Sequence, residues 1–479
     1  MPQSAANFFI VQVYGIRFIA ASLSKNSHRK YTIMKNRKLF TLALVAMFLM
    51  GSTVAIVAFS GPKTIVKAPD ETVMLEPVKG CVFKTVFNED PPKRELDPGF
   101  RHPTPENALK AVNKGLKWLA TAQHPDGGWG AGSHSAQDII DPHAVVPDPA
   151  TTAMVSMAIM RSGSTLTEGQ YKTQLNKAMN YILKCIENTP DEQLNITDLT
   201  YTQIQSKLGG NIDVILSAQF LTNLLDNVGH DANLKKRVEK NLNVCIQKIQ
   251  RAQGSNGSIT NAGWAGVLQS GLAGTVLETA QSKGMVVDSV ALEKSRQYQK
   301  DNYNVNTGTV DAEDGAGVVL YSVSNSTRSS AKESRKADEV IADAKKKGVL
   351  ADSAPVTVDN LKKAGMTEEE ALKYNTANQI YNSAKLQAQD KGVMSGFGNN
   401  GGEEFVSFLQ TGESLVIGKD YGWKKWYDDV SATLLNIQNN DGTWNGHHCI
   451  TSPVFCTATC ILVLSINNDI DALVALGEE

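Results

Sequence analysis

Net charge is nearly absent from this chain. Its 47 Lys and Arg against 49 Asp and Glu leave −2 over 479 residues, so no basic surface argues for nucleic acid. Cysteine is sparse as well. The six present, Cys81, Cys185, Cys245, Cys449, Cys456 and Cys460, follow no framework spacing, so pairs cannot be assigned, and a structural disulfide and plain buried thiols both stay open. Proline is scarce beyond residue 105. Half of the 16 Pro fall between Pro62 and Pro105, which marks residues 61–104 as a Pro-rich linker. A phosphate cradle is also missing: the Gly-rich stretch Gly396–Glu404 contains no Lys, Ser or Thr, and its two carboxylates would repel an anion.

What the N-terminal part does have is an uncharged run. Met34-Lys-Asn-Arg-Lys38 is basic, and Leu39–Ser60 follows with 22 residues and no charge. The run is long enough to span a bilayer and ends Ala58-Phe-Ser60, which also suits signal cleavage. Residues 1–60 are therefore an N-terminal extension plus a signal peptide or membrane anchor. Either reading exports the rest to the periplasm or cell envelope. Met34 is the more natural start.

A turn recurs three times: Gln123-His-Pro-Asp-Gly127-Gly-Trp129, Gln253-Gly-Ser-Asn-Gly257-Ser-Ile259 and Gln438-Asn-Asn-Asp-Gly442-Thr-Trp444. Repeats fix architecture before any local reading. Apolar residues at three- and four-residue spacing (Leu109, Val112, Leu116, Leu119) predict a half-polar helix running into Gln123, and Tyr427, Val430, Leu434 and Ile437 do the same before Gln438. After the turns come helices of another kind. Asp148-Pro149 and Ser452-Pro453 each set a polar N-cap before a Pro, and the runs that follow are small or apolar all round, which predicts burial on every side. Six such inner helices are predicted to begin near Pro149, Asn211, Gly263, Asp314, Gly402 and Pro453. Three of their five intervals are 52, 51 and 51 residues. The longest interval holds Asn325–Gly392, with 22 charged residues and no Trp or Phe, which predicts a polar surface insertion at about 325–392 and a surface where a protein partner could dock. An open stack of hairpins would need polar caps at its ends. The last inner helix is apolar and nearly ends the chain, so an all-α fold is expected: an α/α toroid of about six helical hairpins over residues 105–470.

The Gln-x3-Gly-x-Trp turns on paired helices resemble the repeats of squalene and other terpenoid cyclases and of protein prenyltransferase β subunits. The resemblance implies the toroid. Copy two lacks the Trp, and the other hairpins match in spacing alone. Class II cyclases protonate an alkene with the middle acid of Asp-x-Asp-Asp. Here Asp311-Ala-Glu313-Asp314 stands in that pattern with Glu in the middle, which makes Glu313, flanked by Asp311 and Asp314, the acid such a resemblance implies. Such cyclases carry two helical domains, and only one fits here. The zinc of the prenyltransferases needs an Asp-x-Cys, and none occurs.

Further candidates come from position. Gly446-His447-His448-Cys449 follows the third turn, and imidazole and thiolate suit a divalent metal such as zinc. The equivalent loop after the first turn holds His134, Asp138, Asp141 and His143. In a closed ring the two loops share one rim, so His134 and His143 become ligand-binding candidates, and His447 and His448 catalytic ones. Glu403 and Glu404 open the fifth inner helix and are expected to face the cavity, although acids at inner-helix starts, like Asp148 and Asp213, also serve simply as caps. The expectation is an exported toroid that binds a hydrophobic or saccharide ligand at its cavity or rim without cyclising it. The alternative is an enzyme, either a divergent cyclase or a metal-assisted one.

Overall fold

Thr104 and Pro105 lead into Glu106–Thr121 (α1), whose buried residues, Ala108, Ala111, Val112, Leu116 and Leu119 among them, fall on one face. The helix is amphipathic because one side meets the core and the other meets water. Pro149–Arg161 (α2) is the opposite case: Asp148 caps it by accepting from Thr151 N at 2.7 Å, and all thirteen of its residues are buried. The same alternation runs on. Lys172–Asn188 (α3) and Ala232–Arg251 (α6) are amphipathic, whereas Ile212–Leu224 (α5) and Gly266–Ser282 (α7) are largely buried; the short Gln203–Lys207 (α4) lies between α3 and α5. Ser289–Lys300 (α8) leads through a two-stranded antiparallel ribbon, Tyr303–Asn304 (β1) and Thr309–Val310 (β2), into the 28-residue helix Val319–Lys346 (α9). Val358–Lys363 (α10), Glu368–Gln387 (α11) and Lys391–Met394 (α12) precede Gly402–Ile417 (α13). Trp423–Ile437 (α14), Pro453–Leu464 (α15) and Ile470–Leu476 (α16) complete a mostly helical chain.

The computed structural model describes residues 96–304, 306–311, 315–396 and 401–478, all within the compact unit Asp70–Glu479. The uncharged run at 39–60, the linker up to residue 95, Cys81, Glu313 and Asp314 lie outside the described residues. Among those described, no single helix is long and apolar enough to cross a membrane.

The six helices α2, α5, α7, α9, α13 and α15 begin within five residues of the starts predicted from texture. Each packs on the next in this order, and α15 packs on α2. The amphipathic helices flank them: α3 lies on α2, α6 on α5, α8 on α7, α11 on α9 and α14 on α13, while α1 lies on α15.

The three repeated turns are built alike. Gln123 Nε2 donates to Gly127 O (2.8 Å) within its own turn and to Gln174 O (2.9 Å) in α3. Gln253 Nε2 donates to Gly257 O and to Ala291 O in α8, and Gln438 Nε2 to Gly442 O and to Ala111 O in α1. The turn glycines sit at φ +97, +92 and +98°, and a Cβ on any of them would collide with Lys177, Lys294 or Lys114 of the neighbouring helix. The backbone freedom of glycine and its missing Cβ are therefore both used. Trp129 and Trp444 are fully buried and donate from Nε1 to Leu119 O and Leu434 O, both at 2.8 Å.

The polar segment departs from expectation. Residues 325–335 were assigned to a surface insertion, yet Asn325, Ser326, Thr327, Arg328, Ser330, Glu333 and Arg335 are buried in α9. Their short side chains hide their polarity by bonding to backbone carbonyls: Thr327 Oγ1 donates to Val323 O, and Ser326 Oγ to Gln299 O. The exposed part begins later. It carries its own small core, Ala337, Ile341, Ala344, Leu350, Leu361 and Ala371, fully apart from the main one.

Candidate functional site

The loops after the first and third turns meet. Thr451 Oγ1 donates to Gln137 O (2.7 Å), and Gln203 Oε1 accepts from Thr451 N (2.7 Å) and Ser452 N (3.1 Å). Gln203 is fully buried at the start of α4 and thereby serves the amino end of α15. Its own position comes from an isolated bridge, Ser133 to Thr202, and from Gln203 N donating to Gly132 O.

Some expected site residues converge at this end of the core helices. Glu403 Oε2 accepts from Ile450 N (3.4 Å). Burial raises the Glu403 carboxyl above its ordinary range, against hydrogen bonds that include one from Cys449 and against the charge of Lys207. Burial first, and then the adjoining Glu403, push the Cys449 thiol up to about 11. Cys449 adopts φ +66°, a left-handed conformation unusual for a side-chain-bearing residue. The Lys207 ammonium lies 5.1 Å from the Trp264 ring centroid, and that ring meets Tyr321 edge-on. Burial, and then the charge of Lys207, lower the affinity of His134 for its proton. Cys449, Glu403, Lys207 and His134 thus form one electrostatically linked chain. Chemically, it holds a neutral thiol, because burial and the adjoining Glu403 both disfavour the thiolate.

Other candidates stay apart. His143 lies over His124 (5.5 Å between ring centroids) and meets Thr121 O through Nε2. His447 and His448 are exposed while Cys449 is buried, so consecutive residues diverge. Among the described residues, no three His, Cys, Asp or Glu side chains are placed to hold a metal ion, and no step is derived through one. Glu404 is buried close to Gly396, where a Cβ would overlap its carboxylate. Asp311 is half-buried, and its backbone N–H donates to Asn302 O in the β1 region. Asp148 and Asp213 act as caps: Asp213 Oδ1 accepts from Ala150 N (3.1 Å), and Asp148 Oδ2 from Ala131 N (2.9 Å).

A cavity lies deeper. It takes lining from all six core helices, with Met157, Leu216, Leu272, Arg328, Leu409 and Leu462 contributed one by each. Its wall is chiefly apolar. Near the carboxyl end of α2, Arg161 is closed off by acids: Nε donates to Asp469 Oδ2 and Nη2 to Glu413 Oε1, both at 2.5 Å, and Nη1 to Leu462 O. Sequence reasoning missed this cavity's polar residues. Arg161 closes an apolar run, and Arg328 lay in the stretch taken for a solvated surface. The small-residue texture of Ser322–Ser330 resembles that of α2 and was the available signal.

No protein-family model, curated protein or solved structure matches the chain.

Proposed function

We propose that the chain is an α/α toroid of the terpenoid cyclase and prenyltransferase type whose central cavity binds an elongated apolar ligand without cyclising it. The observation that carries this reading is the single cavity lined from all six core helices. Its wall is mostly apolar with a few placed polar groups, as the walls of small-molecule sites are. Closure into a ring is supported by the packing of α15 on α2 and by the reach of Gln438 back to α1. Binding without cyclisation is supported by the occupation of the cavity's acids: Glu413 and Asp469 both clamp Arg161, which leaves neither poised to protonate an alkene. Export, and attachment to a membrane through residues 39–60, rest on the uncharged run in the sequence.

The test is organic extraction of the purified full-length chain followed by mass spectrometry, together with titration of a hydrophobic fluorophore. One-to-one binding that Leu216→Trp abolishes by filling the cavity is the expected result. Binding unchanged in Leu216→Trp would place the ligand elsewhere.

A further inference from the structure

The cavity has a polar annex. A second, smaller hollow lies between α7, α8 and α9, and Thr275 and Arg328 line both spaces. Its wall includes Arg296, Glu278, Ser295 and Gln299. Gly274 leaves it open, since a Cβ there would come 2.7 Å from Ser295 Oγ.

On the annex wall itself, two guanidinium groups face one carboxylate. Arg296 Nη2 donates to Glu278 Oε1 (2.6 Å). Arg328 Nη2 lies 2.7 Å from Glu278 Oε2, but off the hydrogen-bonding direction, and neither Nε nor Nη2 of Arg328 has a hydrogen-bond acceptor. Arg296 also has Glu293 at 3.8 Å, so Arg328 is the group left with unfilled donors. Burial works against the charge of Glu278, but Arg328, and after it Arg296 and Lys332, outweigh that and hold the carboxyl down at about 2. Glu278 is thus already ionised and has no further charge to offer. Arg328 is 5% exposed. A guanidinium that is nine-tenths buried with unfilled donors is costly unless an anion completes it. Arg161, the other cavity cation, faces two carboxylates and has no such need. The annex is therefore the positive part of the space, and Leu272, Leu409 and Leu462 are among the apolar residues lining the main chamber.

We propose that the annex seats the carboxylate of a long-chain acid on Arg328, with the hydrocarbon tail in the apolar chamber. This rests on the cavity-binding reading and assigns the ligand's class and direction. Nε and Nη2 form one edge of the guanidinium fork, the geometry that holds a carboxylate through both oxygens. A single carboxylate matches the two unfilled donors of Arg328.

The experiment titrates the full-length chain with cis-parinaric acid and with the corresponding primary alcohol, which has the same tail and no charge, at neutral pH. The acid is expected to bind roughly ten- to a hundred-fold more tightly, as charge-assisted hydrogen bonds are worth, and Arg328→Met is expected to erase that preference while retaining the alcohol. Equal affinity of wild type for acid and alcohol would overturn the head-group assignment and leave the cavity reading standing. Failure of both to bind would overturn the two together. Should Arg328→Met fail to fold, the comparison on the unaltered chain decides alone.

Discussion

The amide of Gln438 donates from Nε2 to the carbonyl of Ala111, 3.0 Å away and 327 positions earlier in the chain. Gln123 and Gln253 make the same bond to the helix that follows them, at Gln174 and Ala291. One local device thus joins sequential hairpins twice and, in its third use, ties the last described turn to the first helix.

Removing the amide takes the donor from the turn glycine's carbonyl and breaks the bond to the neighbouring helix, which costs about 1–2 kcal/mol. Gln123→Ala and Gln438→Ala are expected to lower the urea midpoint by similar amounts. Only the second should speed amide exchange in α1 and α15 together, because only that bond joins the two ends. Gly442→Ala should cost more than either, since its φ is +98° and the added Cβ would meet Lys114. A Gly442→Ala protein as stable as wild type would contradict this account of the turn.

Arg161 is held by Asp469 and Glu413, and all three are largely buried. Deleting only the cation leaves two carboxylates in an apolar wall, and Arg161→Met is expected to cost about 3–5 kcal/mol. Adding Glu413→Gln and Asp469→Asn to the same protein should recover most of that loss. Chemical denaturation of the single and triple variants measures both steps, and a triple variant no more stable than the single would show that the loss came from packing.

Acid and base should act on this fold in opposite senses at two groups. Burial, and then the charge of Asp213, raise Asp148 from 3.8 to about 7. The folded state then keeps a proton that the unfolded chain has lost, so this contribution is fully present below about pH 4 and declines as pH rises to about 7. Glu278 is depressed to about 2, so its contribution is present above about pH 4.5 and is lost on further acidification. Stability followed by urea unfolding should therefore fall from pH 4 to 7. Asp148→Asn should flatten that slope, and an unaltered slope in this variant would take Asp148 out of the titration.

Much of the helical order was legible because it depends on local signals. Asp148 and Ser452 before Pro149 and Pro453 announce helix starts, and the all-apolar texture after them announces burial; both read out correctly. The opening of α9 did not. Its serines, threonines and Asn325 carry surface composition, and they become interior only because hydroxyls and amides can bond to nearby backbone carbonyls and because Gly271 admits the Asn325 side chain at close range. Among the site candidates, the sequence pointed to Cys449 and His134 by loop equivalence and to Glu403 by its place at an inner-helix start, and the three lie in one linked chain. It offered no hint of Lys207, which reaches them from the separate helix α4.

What the sequence alone determined is the set of pieces: which segments are helices, which of them are buried on all sides, and where the repeated turns fall. These follow from capping, periodicity and glycine geometry, each read within a few residues. What only the tertiary structure decided is where charge is left over. Arg161 and Arg328 are alike as letters, yet one is enclosed by two acids brought from 252 and 308 positions away and the other shares a single carboxylate with Arg296. That difference depends on distances between helices, and it marks the place where a ligand's charge would sit.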